Sequence, residues 1–469
     1  MNLTKACRFF PAVAATVGAL LIVQWLGFTR ASVAIDRRDP GPDRSAQASV
    51  AAVDLNGSLV KGEGAAGKTG DPWPGFRGPN RDNINTEKLK LSRAPAGGTL
   101  PRLWQIDVGE GYAGPSVSEG RVYILDYDEV GRGDVLRCLS SDDGRDIWRR
   151  SYKVEVGRNH GITRTVCAVA DGRVVSLGPK CHVLCADSAD GSLRWSLDLV
   201  KDFGATVPPW YTGQNPLIDN GRVILAPGGN TALLVAVDLS TGKTIWQTPN
   251  PSHWTMTHSS VTPVKFQDRK LYVYCASAGV VGVNADDGRI EFEIPQWKVS
   301  MANVPSPLPL PDDRLLFTGG YGAGAMCVKL RGQGGKIIPE VVFRLPPEIF
   351  GAEQQTPIFY RGFIYGILPV SSQLCCLSLD GKQLWTSGAK NRFGLGPFLI
   401  ADGMILALAD NGTLNFVEAT ETEFKLLGKA NLFEHGHEAW GPMALSGGKL
   451  FARDLTHLAC FDLREVGHD

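Results

Sequence analysis

Residues 215–246 read NPLIDNGRVILAPGGNTALLVAVDLSTGKTIW. A short apolar strand runs into the turn Asp219-Asn220-Gly221, and a second apolar strand leaves it. A third strand carries Ala236-x-Asp238, a tight turn forms around Gly242, and a fourth strand ends on Trp246. Short apolar runs separated by Gly, Asn and Asp are strands joined by hairpins. A sheet of four antiparallel strands leaves two faces bare, so such units must stack on one another.

The unit recurs with a period of about 47 residues, the range of propeller blades. Residues 165–195 read TVCAVADGRVVSLGPKCHVLCADSADGSLRW, and residues 114–148 read GPSVSEGRVYILDYDEVGRGDVLRCLSSDDGRDIW. Residues 356–385 read TPIFYRGFIYGILPVSSQLCCLSLDGKQLW. Weaker copies begin near Thr262, Ser306, Gly396 and Gly441. The fold class is therefore all-β, an eight-bladed propeller of four-stranded antiparallel blades.

An aromatic residue closes each fourth strand: Trp104, Trp148, Trp195, Trp246, Phe292, Phe343, Trp385 and Phe424. The Phe343 and Phe424 copies lack the turn glycine. Each ring is expected to bury about 150–250 Å² between blades. The last copy, Gly441 to Leu463, has three strands only, and Trp104 precedes the first copy with no inner strands of its own. The strand around Trp104 is expected to complete the last blade and so remove both open sheet edges.

Ahead of the repeats, Lys5 and Arg8 precede an apolar run from Phe9 to Phe28, and Ser32-Val33-Ala34 offers a small-x-small cleavage site. Residues 1–34 are read as a signal peptide or N-terminal membrane anchor. Residues 35–70 are rich in Gly, Ala, Ser and Asp and are read as a flexible linker. The propeller is assigned to 71–469, in an exported protein of the periplasm or cell envelope, anchored to the inner membrane by residues 9–28 if these are not cleaved. The 48 basic and 48 acidic residues balance, which gives no electrostatic case for nucleic acid.

Of ten cysteines, Cys138, Cys185, Cys327, Cys376 and Cys460 fall where Ala236 stands in the clearest copy. This is a small apolar site that a buried thiol suits. Equivalent positions in different blades lie too far apart to bond. Cys375 and Cys376 are adjacent on a strand and should face opposite ways. No pair of CxxC elements suggests zinc.

AVDLSTGKTIW (236–246), CADSADGSLRW (185–195) and GYAGPSVSEGRVYIL (111–125) resemble the repeat of the pyrroloquinoline-quinone (PQQ) propeller superfamily. WPGFRGPNRDN (73–83) and DFGATVPPW (202–210) are similar to exported PQQ-like repeat proteins. The resemblance covers residues 71–463. It implies one of two branches: dehydrogenases that oxidise alcohols or sugars with PQQ and calcium, or non-catalytic scaffolds such as the outer-membrane assembly factor BamB. The dehydrogenases carry large insertions and a vicinal disulfide in a loop beside the quinone. Here the blades average about 50 residues, within the propeller range, and Cys375-Cys376 aligns inside a strand. No active-site Asp and no calcium ligands carry over. The BamB lipid-bearing cysteine is missing, and the FRGPN segment is extra.

Loops from one blade's fourth strand to the next blade's first converge on one end of a propeller channel. They hold His160, Arg164, Trp210, Tyr211, Trp254, His258, Glu353, His437, Glu438 and Trp440, our candidate binding residues, beside Tyr112, His253, Asn303, Gln354 and His435. His and Trp on loops of a rigid scaffold suit a small ligand or a peptide. The motif His435-x-His437-Glu438 lacks further confirmed ligands, so no metal is assigned. No catalytic residue is assigned. The expected protein is a monomeric, non-catalytic envelope scaffold without cofactor that binds a protein or peptide partner. The rival is a PQQ-dependent oxidoreductase. A WD40 propeller is disfavoured, because the Gly-His…Trp-Asp signature is absent.

Overall fold

A computed structural model of the chain describes residue 16, residues 53–93 and residues 95–465. The apolar run 9–28 lies outside the described residues apart from Thr16, and so does the cleavage site. Among the described residues no helix is long and apolar enough to cross a membrane.

Eight antiparallel sheets follow one another along the chain, and their innermost strands line a central channel. Blade 3 is typical: Leu217–Asp219, Arg222–Leu225, Leu234–Asp238 and Thr244–Thr248, in that order from the channel outward. Its first turn, Asn220-Gly221, has φ of 50° and 69°. Positive φ at both central residues is the geometry that matches strand twist, and Gly supplies it without strain. Blade 8 consists of Ala444–Ser446, Lys449–Arg453 and His457–Asp462, and Arg102–Asp107 pairs along His457–Asp462 as its outer strand. The ring thus closes through its N-terminal strand, as the register of the repeats requires.

The aromatic positions meet a small residue across the sheet in most blades. Trp148 lies opposite Cys138, Trp195 opposite Cys185, Trp246 opposite Ala236, and Phe292 opposite Gly282. Each pair sits at a bulge that tilts the ring toward the next blade. There the indole of Trp195 donates to Leu239 O at 2.8 Å, and that of Trp246 donates to Ala285 O at 3.1 Å. The turn glycine of the next blade lies under each ring: a Cβ on Gly242 would stand 2.7 Å from Trp195, and one on Gly288 2.4 Å from Trp246.

Blade 7 corrects the expected series. Its register position holds Gly428, opposite Phe416. The large ring comes from the third strand and the small residue from the fourth, an exchange that conserves volume. Phe424 lies ahead of the strand and packs on Trp385, with ring centroids 6.0 Å apart. In blade 5 the third and fourth strands lengthen to ten residues each and turn at Gly334-Gly335.

Every cysteine among the described residues is free and buried. Cys375 packs with Phe350 and Ile364, and Cys376 with Trp385 and Phe398, in separate apolar clusters. Strand alternation separates the two thiols as expected.

The assignment of residues 35–70 to a flexible linker fails over its described part. Ser58–Lys61 adds a fifth strand to the outer edge of blade 1, paired with Trp148–Ser151. Strand-edge hydrogen bonds hold this stretch, and its few apolar side chains, Val53, Leu55 and Leu59, pack against the core, so composition misled here. The glycines serve close approach rather than flexibility: a Cβ on Gly62 would lie 1.9 Å from Asp146 O.

The segment Trp73–Asn85 enters the channel and plugs it. It comes in past the first turn of blade 1, where Gly67 N–H donates to Gly120 O. It leaves past the first turn of blade 8, where Gly447 and Gly448 donate to Glu87. Inside, Trp73 and Val117 exchange two main-chain bonds of 2.8 Å, and Val169 N–H donates to Pro74 O. Arg81 donates to Ile218 O, and Arg77 to Thr356 O and Pro357 O. Asn83 and Asn85 pair with Ile400. Blades 4 and 5 make no such bond among the described residues, and their innermost strands carry Pro263 and Pro309. Proline offers no N–H that needs a partner. Between the plug and blades 2–4 a crevice of about 170 Å³ remains.

Candidate functional site

With one end of the channel filled, the loop end carries the accessible mouth. Four residues ahead of each innermost strand stand Tyr112, Arg164, Gly213, His258, Val304, Gln354 and Trp440; in blade 7 the place falls at Gly394-Leu395. Repetition of the blade puts these positions on one ring. The Tyr112 and Trp440 rings lie 5.1 Å apart, and the Arg164 guanidinium sits 5.2 Å over Tyr112. His258 N–H donates to Asn303 O at 3.1 Å, and its imidazole lies 6.4 Å from the Trp210 ring.

Below this ring runs a relay that sequence reasoning missed. Val166 N–H donates to Asn215 Oδ1, Asn215 N–H to Ser260 Oγ, Ser260 N–H to Ser306 Oγ, and Ser306 N–H to Thr356 Oγ1. Each side chain satisfies the backbone of the preceding blade, which locks blades 2–6 together where helices or sheets cannot. A Ser, Thr or Asn two residues before the innermost strand was the available signal. Beyond the relay, Gly114 approaches Pro442 too closely for any side chain.

The mouth residues are held in place. The Tyr112 hydroxyl donates to Glu438 Oε2 at 2.5 Å, and the Trp440 indole donates to Asp410 Oδ1 at 2.8 Å. Arg164 Nε donates to Trp210 O at 2.5 Å and Nη2 to Asn159 O at 3.0 Å. Burial, and then the Glu438 carboxylate, push the Tyr112 phenol up. Burial pulls the Arg164 guanidinium down to about 10, so it stays charged at neutral pH. Burial and then Arg164 bring His258 down to about 4, so its ring is neutral there.

The candidates divide accordingly. Arg164, His258 and Trp440 share the ring, and Trp210 and Glu438 bond to or pack on its members. Tyr211 is buried beside them, its hydroxyl donating to Gly157 O. His160 and His437 are exposed at the rim, with His160 at φ 56°. Glu353 stands apart, against Gly320 and the Tyr321 hydroxyl, which pulls against the burial that raises its carboxyl. Trp254 belongs to the apolar core of blade 4, packed over Gly279, and does not reach the mouth. A large apolar ring in a loop reads like a ligand wall until packing is known.

A second buried titratable group lies outside the mouth. Asp134 is fully buried, accepts the Tyr152 hydroxyl on Oδ2, and has no partner on Oδ1 among the described residues. Burial pushes its carboxyl from 3.8 up to about 7. The folded state thus holds this proton more tightly than the unfolded state. Stability should fall as pH rises from about 4 to about 7 and then level off. Asp134→Asn is expected to flatten that part of the melting-temperature profile; equal slopes in both proteins would refute it.

The fold is shared with known proteins. The family described as outer membrane protein assembly factor BamB matches residues 131–337. No curated protein sequence matches the chain. BamB from Moraxella catarrhalis superposes with a TM-score of 0.53 at 13% identity, over 78% of this chain and 100% of that one. The quinohemoprotein alcohol dehydrogenase ADHIIG from Pseudomonas putida HK5 gives 0.57 at 13%, over 85% and 81%. A europium-containing methanol dehydrogenase gives 0.57 at 12%, over 84% and 98%. Identity this low speaks for fold alone. The chain is an eight-bladed β-propeller, and over residues 131–337 its repeats are similar to those of the BamB family.

Proposed function

We propose that the chain is a non-catalytic, monomeric scaffold of the cell envelope that holds a protein or peptide partner at the loop-end mouth. The observation that carries this reading is the plug: the chain's own residues 73–85 fill one end of the channel and leave the loop-end mouth as its open face. The mouth at the other end is an aromatic and polar ring, a surface suited to side chains of a partner. The residues present do not fit a calcium–quinone pair. Among the described residues no three His, Cys, Asp or Glu side chains gather to hold a cation, and Cys375 and Cys376 face separate clusters. No step through a quinone is therefore derived. The similarity to BamB supports the envelope and partner parts of the reading.

A photo-crosslinking side chain at Gln354, on the mouth, tests it in cells expressing the full chain. A discrete adduct is expected there, and none from Arg361, on the opposite, plugged end. No adduct from Gln354, together with stoichiometric PQQ binding and dye-linked alcohol oxidation, would place the chain with the oxidoreductases instead.

A further inference from the structure

We propose that the mouth reads a carboxylate, Arg164 receiving the free carboxyl end of a peptide-like ligand while His258 and Asn303 accept its last N–H. The inference rests on the mouth being a binding site. Three observations meet there. The Arg164 guanidinium has no carboxylate within ion-pair distance among the described residues; it rests on two main-chain carbonyls and the Tyr112 ring. The Glu438 carboxylate acts on it only from beyond Tyr112, whose hydroxyl it accepts. A guanidinium so desolvated and so little compensated favours an anion.

Second, Arg164 Nη1 makes no hydrogen bond within the described residues, yet the side chain still reaches solvent. A fork held at two nitrogens with one end open donates well to a carboxylate. Third, His258 Nε2 and Asn303 Oδ1 are buried without partners among the described residues, and Asn303 is only 5% exposed. A neutral imidazole has one bare acceptor nitrogen, and the amide oxygen is another acceptor. Acceptors beside a cation match an N-acyl amino-acid terminus, which carries an N–H next to its carboxylate. Trp210 and Trp440 supply an apolar wall for the terminal side chain.

The probes are N-acetylphenylalanine, its amide, a pentapeptide ending in the same free acid, and benzoate, titrated into the full chain by tryptophan fluorescence. The acid should bind at least about tenfold more tightly than the amide, since a charge-assisted pair is lost. Benzoate, which lacks the N–H, should be weaker than the acid. A pentapeptide that exceeds the N-acetyl amino acid points to a protein end as the source, and the reverse order to a small metabolite. Arg164→Gln should remove the preference for acid over amide while the protein still unfolds cooperatively. Asn303→Ala, which leaves Arg164 untouched, should weaken the acid and spare benzoate. Equal affinity for acid and amide overturns the carboxylate inference and leaves the partner reading standing. No binding of any probe also overturns it, and the Gln354 crosslink decides the partner reading separately.

Discussion

Trp148→Ala is expected to lower the unfolding free energy by about 3–5 kcal/mol, the range for deleting a buried large ring. Trp148 is fully buried in the seam between blades 1 and 2, opposite Cys138 and 6.2 Å from the Tyr123 ring. Its indole donates to Ser188 O at 3.3 Å. That carbonyl also accepts the Tyr123 hydroxyl at 3.0 Å, so it keeps a partner in the variant. The loss is therefore a packing loss. Gly191 lies under the ring, where a Cβ would stand 2.6 Å from it, and has no side chain to fill the hole. Denaturant unfolding measures the effect, with Trp210→Ala at the half-buried mouth as a control of smaller cost. A loss below about 1 kcal/mol for Trp148→Ala would show that the seam relaxes around the cavity.

The plug rests on one guanidinium. Arg77 is 5% exposed, has φ 66°, and donates to the carbonyls of Arg81, Asp82, Thr356 and Pro357. Burial brings it down to about 10, so it remains charged at neutral pH. Arg77→Met keeps much of the volume and strands those carbonyls. Buried polar groups left unpaired cost about 1–3 kcal/mol each, so a total of about 3–5 kcal/mol is expected once water reaches some of them. Hydrogen exchange should rise at Trp73, Asn83 and Asn85 and stay low in the strands of blade 3. Arg77→Lys should fail to restore it, because one ammonium cannot serve both pairs of carbonyls. Unchanged melting and unchanged protection in Arg77→Met would mean that Trp73 and the Asn83–Asn85 pairing hold the plug alone.

The failure of the linker reading and the success of the blade reading have a common origin. Blades announce themselves because each strand alternates apolar residues and each turn needs Gly, Asn or Asp; local physics writes them into the chain. Ser58–Lys61 and Trp73–Asn85 are held by main-chain bonds to strand edges far away in sequence. Such bonds use groups that every residue has, so composition is silent about them. The same limit applies to Trp254, whose place in the core depends on Gly279 beneath it. It applies again to Phe416 and Gly428, which exchange the sizes that the repeat predicts.

The mouth was half legible. Loop position brought Arg164, His258 and Trp440 into one region of the sequence map, yet nothing local says that Arg164 lies over Tyr112 and lacks a carboxylate partner among the described residues. By itself the chain's sequence determined the blade count, the antiparallel layout, the closing strand and the buried cysteines, because these follow from periodicity and from the size of one residue per repeat. Only the tertiary structure decided which end of the channel is filled, which loop residues face one another, and where polar atoms remain unpartnered. Those depend on distances between blades, which the ring closes at long range and no single repeat encodes.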